Sequence, residues 1–393
     1  MDRKEILELM KNIYTSSEAA EYLNISTQRL NKLVHDKQIE PIKVSKSIML
    51  FLKNDLEKRQ ITNISKTNKE KNEIGKFDIN TPYVRDAILY YTIQQYFKNN
   101  DKKTCEFIDK IEQLHSFHFR SGLKINIPLL SSLLNIKEQE FYACYIKVKD
   151  SFAKLSDDVI LVKKGEEVYS KLLETTNEAP PYLFLKGNVH LLNEKSVCVV
   201  GSRNASSDSM QKTERIVNSL IKRNIVVNAG LAKGIDTATH RSALRNSGRT
   251  IAVIGTPINK YYPKENKELQ MEIEKKGLVV SQFPPCNEVY RWNFPTRNGT
   301  MSGLSLATII MEAGETSGAL KQADYALKQG RDVLIPQSAI ENSLIQWPRK
   351  YVAKGAHSFR TLKEVLEILN KNELLLDMFN SADMEEVSDV EMD

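Results

Sequence analysis

Apolar and polar positions change rhythm along the chain, and the clearest pattern lies in its second half. "SVCVVGS", "IVVNAG", "RTIAVIG", "LVVSQFP", "TIIMEAG" and "DVLIPQ" are short apolar runs, most of them closed by glycine or proline. Such runs suit parallel strands buried on both faces. Between them stand "DSMQKTERIVNSLIKRN", "GIDTATHRSALRNSG", "KENKELQMEIEKKG" and "GALKQADYALKQG", with apolar residues three and four apart, as amphipathic helices require. The alternation predicts an α/β fold over 161–370, a doubly wound, mostly parallel sheet. "SGLSLA" reads as a turn into a helix, and the segment before it as a proline-rich loop.

Upstream the rhythm is helical. Residues 79–160 predict a helical domain from "VRDAILYYTIQQYFKN" and "CEFIDKIEQLHSF". Their aromatic stripe (Tyr90, Tyr91, Tyr96, Phe97) reads as core. Residues 61–78 are polar and charged, as a linker is. In residues 1–60, Thr15, Ser16 and Ser17 precede Glu18 as a helix start, and Ala19, Ala20 and Leu23 mark one face. "TQRLNKLVHDKQI" follows a tight turn, with Leu30 and Val34 inward, and a hairpin and helix come next. Two short helices joined this way form a helix-turn-helix. The block resembles that of excisionase and MerR-type proteins. The resemblance places Thr27, Gln28, Arg29 and Lys32 at the start of a helix reading the major groove of duplex DNA. A small helical bundle without DNA contact is the alternative.

Composition sharpens this outline. The 393 residues are 41% hydrophobic and 27% charged, ordinary for a globular chain of two or three domains. No run approaches the roughly 20 apolar residues that span a bilayer, and "MDRKEILELM" has no signal-peptide core. A cytoplasmic protein without a membrane partner is expected. Cys105, Cys144, Cys198 and Cys286 form no CxxC pair and do not cluster with the six histidines, so no metal or other cofactor is expected. Net charge is +6, yet residues 372–393 hold eight acidic side chains and no basic ones. An acidic tail over 371–393 therefore follows a body that is eight charges more basic than the whole, which suits a polyanionic partner.

In a doubly wound sheet the ligand lies beyond the carboxyl ends of the strands. The first such loop is "GSRNAS". Gly201 permits the turn, backbone amides with Ser202 and Ser206 can hold phosphate, and Arg203 offers a planar fork. The second is "NAGLAKGIDTATHRSAL". Gly230 and Gly234 allow close backbone approach, Lys233 adds charge, and Asp236 and His240 share a helix face. That pair can act as a base or as scaffold, and scaffold is the expectation, because no nucleophile elbow stands near it. The third and fourth loops carry Lys260 and Lys264 around two tyrosines, then Arg291, Trp292, Phe294 and Arg297. Cations interleaved with rings suit a single strand, the cations tracking phosphates and the rings stacking on bases.

"VVGSRNAS", "AGLAKGIDTATHRSAL", "TIAVIGTPINKYYPKEN", "FPTRN", "SGLS" and "EAGETSGAL", in this order, resemble the DprA or Smf family of DNA-processing proteins over roughly residues 165–360. The resemblance implies an extended Rossmann-like fold, single-stranded DNA binding without catalysis, a homodimer, RecA as partner, and a place in recombination and DNA uptake during natural transformation. It implies that Arg203 grips a phosphate, Phe294 stacks on a base, and Lys264, Arg291, Arg297 and Asn298 line the groove. Three features depart from the family. Gly299 stands where the family usually has an arginine, the usual C-terminal winged helix is replaced by a helix-turn-helix at the front, and an acidic tail ends the chain. A nucleotide- or DNA-sensing regulator, or a phage-defence protein on the same fold, is the second reading. A glycosidic-bond-cleaving enzyme using Glu312 is disfavoured, because the "PGGxGT" loop is missing.

Overall fold

The computed structural model describes residues 13–16, 19, 20, 30, 31, 34, 39, 41–44, 49–52, 77–114 and 123–370. Thr27, Gln28, Arg29 and Lys32 of the expected recognition helix, residues 61–76 of the expected linker and the 371–393 tail lie outside the described residues. The chain divides into two compact units, Met1–Leu89 with Ile108–Glu138, and Tyr90–Phe107 with Gln139–Asp393.

In the first unit, β1 (Ile13–Thr15), β2 (Lys43–Val44) and β3 (Met49–Leu52) form an antiparallel sheet in the order β1-β3-β2. The β2–β3 pair is the expected hairpin. Ala19, Ala20, Leu30, Ile39 and Phe51 form a small buried cluster, with Tyr14, Val34 and Met49 packed against it. Leu30 and Val34 therefore face inward as their spacing requires.

Four helices follow: α1 (Pro82–Tyr96), α2 (Asp101–Leu114), α3 (Leu123–Leu134) and α4 (Glu138–Phe152). The start of α1 is specified locally. Proline occupies its first position, where no amide donor is needed, and the Thr81 hydroxyl accepts from the Val84 amide at 3.3 Å. Within the second unit, Tyr90 and Tyr91 are buried and pack against Tyr182, with Tyr91 also against Phe152 and Phe184. The stripe is core. The Tyr90 hydroxyl donates to half-buried Asp101 at 2.7 Å.

The second unit holds a nine-stranded sheet, ordered β12-β11-β10-β6-β7-β8-β9-β5-β4. Its strands are β4 (Ile160–Lys163), β5 (Tyr182–Gly187), β6 (Ser196–Val200), β7 (Val226–Ala229), β8 (Thr250–Ile254), β9 (Leu278–Ser281), β10 (Ala307–Ile310), β11 (Asp332–Pro336) and β12 (His357–Phe359). From β12 to β9 every pairing is parallel; β5 and β4 add antiparallel strands at one edge. The sequence reading missed those two strands. Alternation assigns the faces. Val197 and Val199 of β6 enter one core cluster, and Cys198 and Val200 enter the other.

The helices that shape the site are α5 (Ser207–Ile221), α6 (Ile235–Arg245), α7 (Lys267–Lys276), α8 (Asn293–Gly303) and α9 (Gly318–Lys328). The second part of the stretch expected as a loop is thus α8, with Pro295 in its first turn, where proline costs least. From β6 the chain runs out through β7, β8 and β9, then returns to lay β10, β11 and β12 on the other side of β6. Strand order therefore reverses between β6 and β10, the kind of crevice in which doubly wound sheets hold ligands.

Candidate nucleic-acid interface

A cavity of about 1040 Å³ opens at that reversal point. It is lined by the turn after β6 (Gly201 to Asn204), the turn after β7 (Leu231 to Lys233), Gly255 after β8, and the segment leading into α9. Residues from α8 close another wall. Ser317 caps α9, accepting from the Ala319 amide at 3.3 Å, so the positive end of that helix lies at the cavity.

The rim carries exposed cations. Arg203 and Arg291 both line the cavity and are exposed. Lys321 is beside them, 3.6 Å from Asp324. Lys233 is engaged at 2.5 Å with Glu265, which it holds below the ordinary carboxylate range. Two rings sit among these charges: Phe294, half-buried, and Tyr262, exposed, lie 5.0 Å apart between centroids. Tyr262 and Lys321 were not singled out from sequence. The "KYYP" string was a weak signal for the first, and α9 spacing gives none for the second.

The floor is different. Arg297 lines the cavity but is buried, with Nη1 donating to the Val253 carbonyl. Asp236, also buried, accepts from the Ala232 amide at 3.3 Å and from the Gly201 amide. Burial pushes its carboxyl up to about 6, against the pull of Arg297. The two side chains meet over Gly230, where a Cβ would lie 2.5 Å from both Arg297 Nη1 and Asp236 Oδ2. Gly230 is thus needed for what its missing side chain admits. Gly234 sits at φ 75°, and a Cβ there would run into the Ser202 carbonyl. His240 is fully buried, and desolvation lowers it to about 4. Its Nε2 donates to the Gly230 carbonyl at 2.6 Å, and Nδ1 lies 2.7 Å from the Thr250 hydroxyl. Asp236 and His240 therefore serve separate partners and brace the turn after β7.

In the "GSRNAS" loop several of the groups expected to hold a phosphate have partners within the chain. The Ser202 amide donates to the Glu312 carbonyl at 2.7 Å, and the Ser202 hydroxyl accepts from the Asn204 amide at 3.1 Å. Glu312 Oε2 takes the Ser206 amide at 3.1 Å and its hydroxyl at 2.7 Å. Burial raises Glu312, but bonds from Ser209 and Ser206 outweigh it and hold the carboxyl below its ordinary value. A carboxylate already occupies the anion position at the start of α5. The Arg203 side chain of this loop lines the cavity and is exposed, and its charge also draws on the buried Asp236 carboxyl.

Gly201, Ser202, Arg203, Lys233, Arg291, Phe294, Arg297 and Asn298 are brought together at the cavity. Ser206, Gly230, Gly234 and Lys264 are not among its lining residues. Asn298 donates to the Gly318 carbonyl at 3.3 Å, tying α8 to α9. Gly299 is packed: a Cβ would lie 2.8 Å from Glu178 Cγ and 3.2 Å from Tyr325. The arginine usual in the resembled family would have no room here without moving both.

Residues 160–370 match the family model of DNA recombination-mediator protein A. The chain belongs to that family. Residues 13–60 match a helix-turn-helix domain. DNA processing protein DprA of Streptococcus pneumoniae is 38% identical over 201 residues, 51% of this chain and 71% of that protein. DprA of Bacillus subtilis is 29% identical over 232 residues, 59% of this chain and 77% of its own. The X-ray structure of the pneumococcal protein superposes with a TM-score of 0.60 at 30% identity, covering 73% of this chain and 97% of that one.

Proposed function

We propose that the cavity binds single-stranded DNA, its exposed arginines on the phosphates and its rings on a base, and that the protein acts in DNA processing and recombination. One observation carries this reading: Arg203 and Arg291 are exposed at the rim of a switch-point cavity that also holds the Phe294–Tyr262 ring pair. Cations beside exposed rings track a flexible backbone and stack unpaired bases without reading sequence. The protein is a binder rather than an enzyme. The two groups that chemistry would need are engaged internally, His240 by Gly230 and Thr250, and Glu312 by Ser206. The helix-turn-helix segment adds a duplex contact, and RecA and a second copy of the chain are the expected protein partners. The described residues contain no helix long and apolar enough to cross a membrane, and the protein works in the cytoplasm.

Fluorescence anisotropy with oligo-dT, duplex DNA and thymidine monophosphate at two salt concentrations tests this. Salt-sensitive binding of oligo-dT, weakened in Arg203→Ala, is expected. Tight binding of the mononucleotide with oligo-dT ignored would replace this reading with that of a nucleotide sensor. Removal of residues 1–60 is expected to abolish duplex binding and spare oligo-dT.

A further inference from the structure

We infer that Tyr290 and Trp292 form a second base-stacking platform outside the cavity, extending the bound strand past the base held by Phe294. The inference rests on the single-strand reading above and deepens it.

Tyr290 and Trp292 are stacked, with centroids 4.4 Å apart and planes 9° from parallel. Neither lines the cavity. Trp292 is 63% exposed, an unusual state for a large ring with nothing else requiring it to face water. It is also fixed in place. It is the residue from which α8 starts, its carbonyl accepts from the Thr296 hydroxyl at 2.8 Å, and the Tyr290 hydroxyl donates to Glu288 at 3.1 Å. A preformed pair loses little freedom when a third ring joins it.

Charge points to the occupant. Arg291, between the two rings in sequence, lines the cavity, so a phosphate on it sits at the junction of cavity and platform. Lys260 reaches the same loop, donating to the Asn287 carbonyl at 3.1 Å. Glu288 is the opposing charge, and its bond to Tyr290 ties it to the ring's far end. A strand whose phosphate lies on Arg291 and whose base lies on Phe294 can lay a neighbouring base on Trp292. An aromatic platform of this kind tolerates any base, as stacking does.

The chain supplies its own reporter. Its other tryptophan, Trp347, is 1% exposed, so emission changes on binding report Trp292. The full-length protein is titrated with thymidine monophosphate and with oligo-dT of increasing length, reading tryptophan emission and anisotropy together. Quenching by longer oligo-dT, little change with the mononucleotide, and about a tenfold affinity loss for long oligo-dT in Trp292→Ala are expected. Trp292→Phe should recover most of that affinity. Oligo-dT bound by anisotropy, but with unchanged emission and unchanged affinity in Trp292→Ala, overturns the platform and leaves the cavity reading standing. No oligo-dT binding at all removes both. A Trp292→Ala variant that alters oligomeric state and not DNA affinity assigns the surface to contact between copies and also overturns the inference.

Discussion

The rim and the floor of the cavity use the same residue type to opposite ends. Arg203 and Arg297 both line it. Arg203 is exposed and available to a ligand, whereas Arg297 is buried against the Val253 carbonyl and the Asp236 carboxylate. A buried charge must be answered from within the fold, because water no longer solvates it. A rim charge remains solvated until a ligand displaces that water. The floor therefore governs stability and the rim governs binding, and each can be broken separately.

The largest effect is expected at the floor. Arg297→Met leaves Asp236 buried without its cation and should cost about 3–5 kcal/mol in urea denaturation. Arg297→Met with Asp236→Asn should recover part of that loss. A double variant as unstable as the sum of both singles would contradict the coupling.

His240→Gln sharpens the comparison through pH. The folded histidine titrates near 4, below its ordinary 6.5. Folding thus disfavours its proton: the stability it contributes is complete above about pH 6.5 and lost as pH falls toward 4. Glutamine does not titrate, so the gap between wild type and variant should be widest near pH 7 and shrink by roughly 3 kcal/mol toward pH 4. Asp236, raised to about 6, acts in the opposite sense in both proteins, its contribution lost as pH rises through that value. A gap independent of pH would show that the ring is not held neutral.

Ser206→Ala should cost about 1 kcal/mol, since it removes the cap that accepts from Ser209 at 3.2 Å and one donor to Glu312. Oligo-dT affinity should hardly move. A large affinity loss at unchanged stability would restore Ser206 as a phosphate grip.

The parallel strands were legible because burial on both faces demands unbroken apolar runs, as in Ser196–Val200 and Thr250–Ile254. The antiparallel strands Ile160–Lys163 and Tyr182–Gly187 were missed: they pair with partners no local pattern announces. Helix Asn293–Gly303 was hidden by its asparagine, proline, threonine and glycine content. Burial of Arg297 to Gly303, not intrinsic propensity, holds it. The rings and cations of the site were visible as residue types. Which of them would be free was not, because the partners of Ser206 and Arg297 lie far away in the chain at Glu312 and Asp236.

The most direct measurement is the salt dependence of oligo-dT binding by wild type and Arg203→Ala, with urea denaturation run beside it. Arg203→Ala should leave stability within about 0.5 kcal/mol of wild type and lower the slope of log affinity against log salt by roughly 0.7, one phosphate contact. An unchanged slope and affinity at unchanged stability would contradict a strand gripped at the rim.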